Sequence, residues 1–310
     1  MSSLACNIAG VAMKNPVMMA SGTFGFGREY ERFYPLDVLG GIVGKGLTSH
    51  PKPGNSGLRI HETASGMLNS VGLENPGVSA FLEHELDEMI RWNTAVIANV
   101  GGSDPEEYVR AVTMISENTK ERGATGRRGV DMLELNISCP NVKEGGMQFG
   151  IQTETARDVV RQVRNATSLP LMVKLSPQAE NIARMAAMCE EEGADAVSLI
   201  NTFSAMKIDV RRRRSVFANT YAGLSGPAIK PIALRMVHQV ARAVSIPVIG
   251  MGGIRSAEDI IEFVMAGANA VQVGTHNFVR LRAGAELVRE LEQWMLQEKV
   301  CDLEEIRGIV

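Results

Sequence analysis

Short apolar runs alternate with amphipathic segments along the whole chain, and that alternation predicts its architecture. Eight β-rich runs stand at residues 17–20, 41–44, 95–98, 132–135, 171–174, 196–200, 247–250 and 270–273. Each is followed by a polar or glycine-bearing loop and then by a stretch of helical periodicity. Continuous apolar strands alternating with helices predict a parallel sheet covered on its outer face. The helices carry their own punctuation. Asp104, Pro105, Glu106 and Glu107 combine an N-cap, an N1 proline and first-turn acids, and Ser256 with Asp259 reads as a capping box. Gly193 and Gly267 fall where a helix should stop just before the next strand. Eight such units in 310 residues predict a closed (β/α)8 TIM barrel in preference to an open doubly wound sheet. No linker rich in proline, glycine or serine divides the chain, so residues 1–310 read as one domain.

In such a barrel the active site lies at the C-terminal ends of the strands, and polar residues collect there. Ser21 follows the first run, Lys45 the second, Asn99 the third and Asn136 the fourth; Lys174 closes the fifth, and Asn201 with Thr202 follows the sixth. Singly, a strand-end Asn is often a turn former and a strand-end Lys a solvated rim charge. Their coincidence at one end is the stronger signal. Gly252-Gly253 and Gly274-Thr275 follow the seventh and eighth runs, where barrels often cradle a phosphate with backbone N–H groups. Glycine permits that close approach, although both could be plain tight turns.

Cys139 stands in the run Asn136-Ile137-Ser138-Cys139-Pro140-Asn141-Val142-Lys143-Glu144-Gly145-Gly146, where the fourth strand opens into a long loop. A thiol, with an ordinary pKa of about 8.5, trades a proton near neutrality when its surroundings are tuned. Free cysteines are also often simply buried, and the local sequence leaves both readings open. A phosphate site, two lysines, several amides and a thiol are together what an FMN-dependent redox enzyme needs. A lysine near the pyrimidine end of the flavin stabilises the reduced ring, and asparagine amides pair with a heterocyclic substrate.

Composition narrows the classes. With 45% hydrophobic and 22% charged residues the chain is globular, and its net charge of -3 argues against a general nucleic-acid binder. The one basic run, Arg211-Arg212-Arg213-Arg214, is short and reads as solvated. The four cysteines, Cys6, Cys139, Cys189 and Cys301, form no CxxC pair, so no zinc or iron–sulfur site is expected and a reducing cytosol fits best. No segment approaches the ~20 apolar residues of a membrane span, and no leader pattern opens the chain. A soluble cytoplasmic protein is expected. Residues 119–129 read as a long solvated loop bearing Lys120, Arg122, Arg127 and Arg128.

The chain resembles class 1 dihydroorotate dehydrogenases, most closely the class 1B catalytic subunits. The motifs are Ala20-Ser21-Gly22-Thr23-Phe24-Gly25, Gly44-Lys45-Gly46-Leu47-Thr48, Asn69-Ser70-Val71-Gly72-Leu73-Glu74-Asn75-Pro76-Gly77 and the run at 136–146. Further on they are Val173-Lys174-Leu175-Ser176-Pro177, Asn201-Thr202, Gly223-Leu224-Ser225-Gly226-Pro227-Ala228 and Gly250-Met251-Gly252-Gly253-Ile254. The resemblance runs nearly end to end. It implies FMN-dependent oxidation of (S)-dihydroorotate to orotate in pyrimidine biosynthesis, with Cys139 as the general base. It implies that Lys45, Asn69, Ser70, Val71, Gly72, Leu73, Asn136, Asn201 and Thr202 hold the substrate. The flavin would be lined by Ser21, Lys45, Gly46, Asn99, Asn136, Lys174 and Ile200, with Gly226, Gly252, Gly253, Gly274 and Thr275 around its phosphate.

The same resemblance implies a homodimer of this chain joined to an electron-transfer subunit carrying FAD and [2Fe–2S], two of each in a heterotetramer, that passes electrons to NAD. Two departures from the family pattern stand out: Tyr221-Ala222 before Gly223, and His276 after Thr275. Among alternatives, a class 1A-like homodimer would use fumarate and need no partner, and a tRNA dihydrouridine synthase would set Arg211 to Arg214 on phosphates. Dihydropyrimidine dehydrogenase domains are also similar, but the 69–77 segment and Asn141-Val142-Lys143 suit orotate better. A non-catalytic flavin-binding relic would be yellow yet inert.

Overall fold

A computed structural model describes residues 3–138 and 149–310. Eight parallel strands close into a barrel: β1 (Val17–Met19), β2 (Gly41–Val43), β3 (Ala95–Val100), β4 (Met132–Asn136), β5 (Leu171–Lys174), β6 (Ala196–Leu199), β7 (Val248–Met251) and β8 (Ala270–Val273). Each strand pairs with its sequence neighbours, and β8 pairs with β1 to complete the ring. All eight apolar runs are strands, so the TIM-barrel expectation is met.

Side chains alternate across a strand, and here the two faces have different tasks. The outward set, including Val17, Ile42, Val96, Leu133, Val173, Val197 and Val271, joins the large core beneath the helices. The inward set begins as an apolar layer of Met18, Val43, Ile97, Met132, Met172 and Ile249. An antiparallel hairpin, Cys6–Ile8 with Val11–Met13, adds Ile8 and Met13 to that layer and closes the N-terminal end.

The main helices form as their punctuation predicts. Pro105–Ala124 is capped by the Asp104 side chain, which accepts from the Glu107 N–H at 2.8 Å. Ala257–Met265 begins with the Ser256–Asp259 capping box. Gly193 and Gly267 follow their helices with positive φ. Helices Thr153–Ala166, Ile182–Glu191, Lys230–Ala241 and Ala283–Glu298 complete the main outer layer. Among the described residues no helix is long and apolar enough to cross a membrane.

One expectation is corrected. Residues 119–124 belong to a helix, and Arg122 is buried, its Nε donating to the Arg128 carbonyl and its guanidinium pairing with Asp87. Arg128 pairs with Asp131 and donates to the carbonyls of Trp92 and Thr94, while Arg127 also reaches Asp87. A guanidinium carries several donors on a rigid fork, so it can satisfy carbonyls that a helix end and a loop leave open. Charge alone had suggested solvent. Arg211 to Arg214, by contrast, are exposed at the turn joining Ile208–Asp209 to Arg214–Ser215.

A four-stranded antiparallel sheet stands at the other end of the barrel, in the order Phe203–Met206, Tyr221–Ser225, Gly66–Asn69, Ile60–Thr63. It is built from the loops after β2 and β6. Loops at that end can vary without disturbing the barrel, which is why function concentrates there.

Candidate active site

A cavity of about 540 Å³ opens at the C-terminal ends of the strands, within the range of small-molecule and cofactor sites. Ser21 lines it from β1, Lys45 and Gly46 from β2, and Asn99 from β3. Asn136 and Lys174 enter from β4 and β5, and Ile200, Asn201 and Thr202 from β6. Gly252 and Gly253 follow β7, Gly274 and Thr275 follow β8, and Gly226 completes that side.

The antiparallel sheet supplies the roof. Asn69 donates from Nδ2 to the Gly223 carbonyl at 3.2 Å, which ties the two sheet strands at the cavity wall. Val71, Gly72 and Leu73 continue the wall. Gly72 has φ +76°, and a Cβ there would lie 2.4 Å from the Asn55 amide, so only glycine fits this turn. Ser70 is the exception among the expected residues. It is buried and does not line the cavity; its hydroxyl and carbonyl accept from Asn55 Nδ2, at 3.3 and 3.2 Å. Consecutive extended residues point to opposite sides, so a contiguous motif cannot put every side chain on one wall.

Asn136 is held from several directions. Its Oδ1 accepts from the Ser138 hydroxyl at 2.8 Å and from Asn201 Nδ2 at 3.3 Å, while Tyr108 donates to its carbonyl at 2.9 Å. The Ser138 hydroxyl in turn accepts from Asn201 Nδ2 at 2.6 Å. With its oxygen engaged, the Asn136 NH2 is the part left for a ligand.

The two lysines differ. Lys174 is buried, with Nζ 3.9 Å from Glu134 Oε2. Lys45 is half-buried and has Glu74 as an acidic neighbour. The hydrogen bond from Arg59 and then its charge hold the Glu74 carboxyl below the usual range, with Lys45 a smaller contributor.

On the opposite side, Gly252 and Gly253 both have positive φ. A Cβ on Gly253 would come 2.8 Å from Lys230 Cβ and 2.9 Å from the Gly226 carbonyl, so the turn is packed as tightly as it can be. Lys230 bridges Asp259 at 2.5 Å and Glu262 at 2.7 Å behind it. Burial pulls the Lys230 pKa down, but its two carboxylate partners outweigh that and leave it raised. Burial likewise pushes Asp259 up, and Lys230 with the Arg255 N–H more than reverses it. Thr275 donates to the Ser225 hydroxyl at 2.8 Å, joining the last turn to the roof sheet. His276 also lines the cavity; burial, and then Arg280, lower its pKa, so it is neutral at pH 7.

Glu134 and Gln272, like Ser198, are polar residues of the barrel interior that stand inside apolar runs. Glu134 and Gln272 are fully buried, with Gln272 donating to Glu134 at 2.6 Å, and Gln272 lines the cavity. Period-two parity could have found them: Glu134 shares a strand face with Asn136, and Gln272 with Gly274.

Cys139 lies outside the described residues. Burial pushes the Cys6 thiol up to about 12, with Glu304 adding to the effect. Burial does the same for Cys189, also to about 12, with Arg157 opposing slightly. Neither thiol lines the cavity, and both are held protonated near neutrality.

A family model described as dihydroorotate dehydrogenase matches residues 3–295. A protein of Petrotoga mobilis, named dihydroorotate dehydrogenase B (NAD(+)), catalytic subunit, is 53% identical over 304 residues, covering 98% of each chain. Proteins of the same name from Thermoanaerobacter pseudethanolicus and Alkaliphilus metalliredigens are 49% and 48% identical, over 99% and 97% of this chain and 98% and 97% of theirs. A barrel with its polar residues gathered at the strand ends, matched over nearly all its length, places the chain in the dihydroorotate dehydrogenase family of oxidoreductases.

Proposed function

We propose that this chain is the FMN-containing catalytic subunit of an NAD-linked dihydroorotate dehydrogenase, oxidising (S)-dihydroorotate to orotate in pyrimidine biosynthesis. The observation that carries the reading is the cavity itself, with buried amides and two ammonium groups on one side and tight glycine turns on the other. Its residues fit FMN on their own chemistry. Asn99 Oδ1 and Gln272 Oε1 are buried acceptors with no partner among the described residues, suited to a heterocycle that donates N–H. The turns at Gly252-Gly253 and Gly274-Thr275 suit a phosphate approached by backbone N–H groups. FMN, when bound, supplies the acceptor for the hydride leaving the substrate ring carbon.

The chain's own residues do the rest. Lys45 neutralises the substrate carboxylate as a point charge, and the Asn69 to Leu73 segment (side chain of Ser70 excepted), Asn136, Asn201 and Thr202 complete the substrate's shell. Ser21, Gly46, Asn99, Lys174 and Ile200 line the ring, with Gly226 beside the phosphate turns. Cys139 takes the proton from the carbon adjacent to the one losing hydride, a role resting on sequence alone. The two electrons leave through a partner subunit carrying FAD and [2Fe–2S] and reduce NAD. We take 1–310 as one FMN-binding unit, acting in the cytoplasm as a homodimer within a two-plus-two heterotetramer. The relatives named catalytic subunits support a separate partner.

Mixing the FMN-loaded chain with dihydroorotate and either fumarate or NAD tests the acceptor. The proposal expects neither to be reduced efficiently until the electron-transfer subunit is added. NAD reduction by the chain alone would overturn the partner, and brisk fumarate reduction would favour a self-sufficient homodimer.

A further inference from the structure

The most deeply buried acid of the barrel interior, Glu134, has no part in the reaction just described. It is fully buried, and a carboxylate offers only acceptors, so each neighbour must turn a donor toward it. Asn99 gives Nδ2 to Oε2 at 2.5 Å, Gln272 gives Nε2 to Oε1 at 2.6 Å, and Ser198 gives its hydroxyl to Oε1 at 2.8 Å. An amide that commits its NH2 to one side presents its oxygen on the other. That leaves Asn99 Oδ1 and Gln272 Oε1 without partners among the described residues, and of the buried side-chain oxygens in that condition these two belong to residues that line the cavity. Gly46 keeps the first of them open, since a Cβ at that position would come 2.9 Å from Asn99 Oδ1.

We propose that Glu134 is a positioning residue that locks the Asn99 and Gln272 amides with their oxygens toward the cavity. The pair then selects a ring with an imide N–H, making Gln272 a flavin-recognition residue. This rests on the FMN reading above. An imide N–H occurs in the flavin ring and in the dihydropyrimidine substrate alike. Asn99 and Gln272 are fully buried, whereas Lys45, Asn69, Asn201 and Thr202 are only half-buried, so we assign the deeper pair to the flavin and the shallower residues to the substrate. Replacing the acid by glutamine keeps its shape but allows it to donate, so either neighbouring amide can turn over and present NH2 to the cavity instead.

The test uses the full chain stripped of flavin and titrated with FMN and with FMN methylated at N3, which lacks the imide N–H, following quenching of flavin fluorescence. Wild type should bind FMN at least tenfold more tightly than the methylated form. Glu134→Gln should lose about tenfold in FMN affinity and most of that preference. Gln272→Met, which removes one acceptor and leaves Glu134 in place, should weaken FMN but not the methylated analogue, and it keeps the test open should Glu134→Gln fail to fold. Unchanged FMN affinity and preference in folded Glu134→Gln would overturn the proposal. So would unchanged flavin binding combined with a tenfold loss of orotate affinity in the FMN-loaded variant, which would assign the oxygens to the substrate. A folded wild-type chain that takes up no FMN would overturn the cofactor reading itself, a result distinct from either.

Discussion

The lower and upper halves of the barrel interior are made by the same strands with the same inward parity, yet they differ in kind. In β4 the inward residues run Met132, Glu134, Asn136, and in β5 they run Met172, Lys174. The lower residues pack with Ile8 and Met13 of the closing hairpin, where loss of a side chain costs only packing. Two residues further along, the barrel buries a carboxylate, an ammonium and several amides whose geometry matters more than their volume. Stability and function are thus separated along each strand, a few ångströms apart.

The sharpest break of that separation is expected at Cys139, just past β4. Cys139→Ala should lower turnover of dihydroorotate by about a hundred- to ten-thousand-fold, the range of a lost general base. FMN content and thermal stability should stay near wild type. Cys139→Ser should recover part of the rate only at raised pH, because a hydroxyl gives up its proton less readily. Stopped-flow flavin reduction across pH reads both.

In the lower half, Met172→Ala should destabilise the chain by about 2–5 kcal/mol, as truncation of a fully buried side chain does. Activity per flavin-loaded molecule should be unchanged. Urea unfolding beside kcat checks the contrast, and a fall in kcat would mean that the halves are not separable.

Lys45→Met sits at the mouth and half-exposed, so its effect should be on binding. Losing a charge-assisted contact worth about 1.5–3 kcal/mol should raise KM roughly 10- to 100-fold with little change in melting temperature. A pure kcat effect would place this lysine at the flavin rather than the substrate.

The smallest effects concern pH. The depressed Asp259 carboxyl contributes stability that is full above the ordinary carboxylate pKa and lost as pH falls through its lower folded value. Its raised partner Lys230 contributes stability that persists up to the ordinary lysine value and is lost as pH rises through its higher folded one. His276, also depressed, favours the unfolded chain once pH drops below the ordinary histidine value of 6.5. Thermal melts from pH 8 to 5.5 should therefore show a slight decline that His276→Asn removes.

Much of this was legible in the sequence, for identifiable reasons. A strand buried on both faces must be apolar, so β1 to β8 announced themselves, and a polar residue ending such a run marked the mouth. Glu134 and Gln272 were absorbed into their runs because a single polar residue within an apolar stretch looks like tolerance. Only the partners on neighbouring strands make it necessary. Ser70 differs in the opposite sense: its side chain lies off the cavity lining, and a contiguous motif says nothing about which side chains turn away. Arg122 and Arg128 read as solvated because the acid and carbonyls that hold them come from residues 87–94 as well as nearby positions.

The most direct test of the account is spectroscopic. The FMN-loaded chain, kept anaerobic without any partner, is mixed with dihydroorotate and its absorbance near the yellow flavin band is followed. The account predicts complete bleaching with one orotate formed per flavin. A chain that stays yellow at saturating dihydroorotate would contradict it.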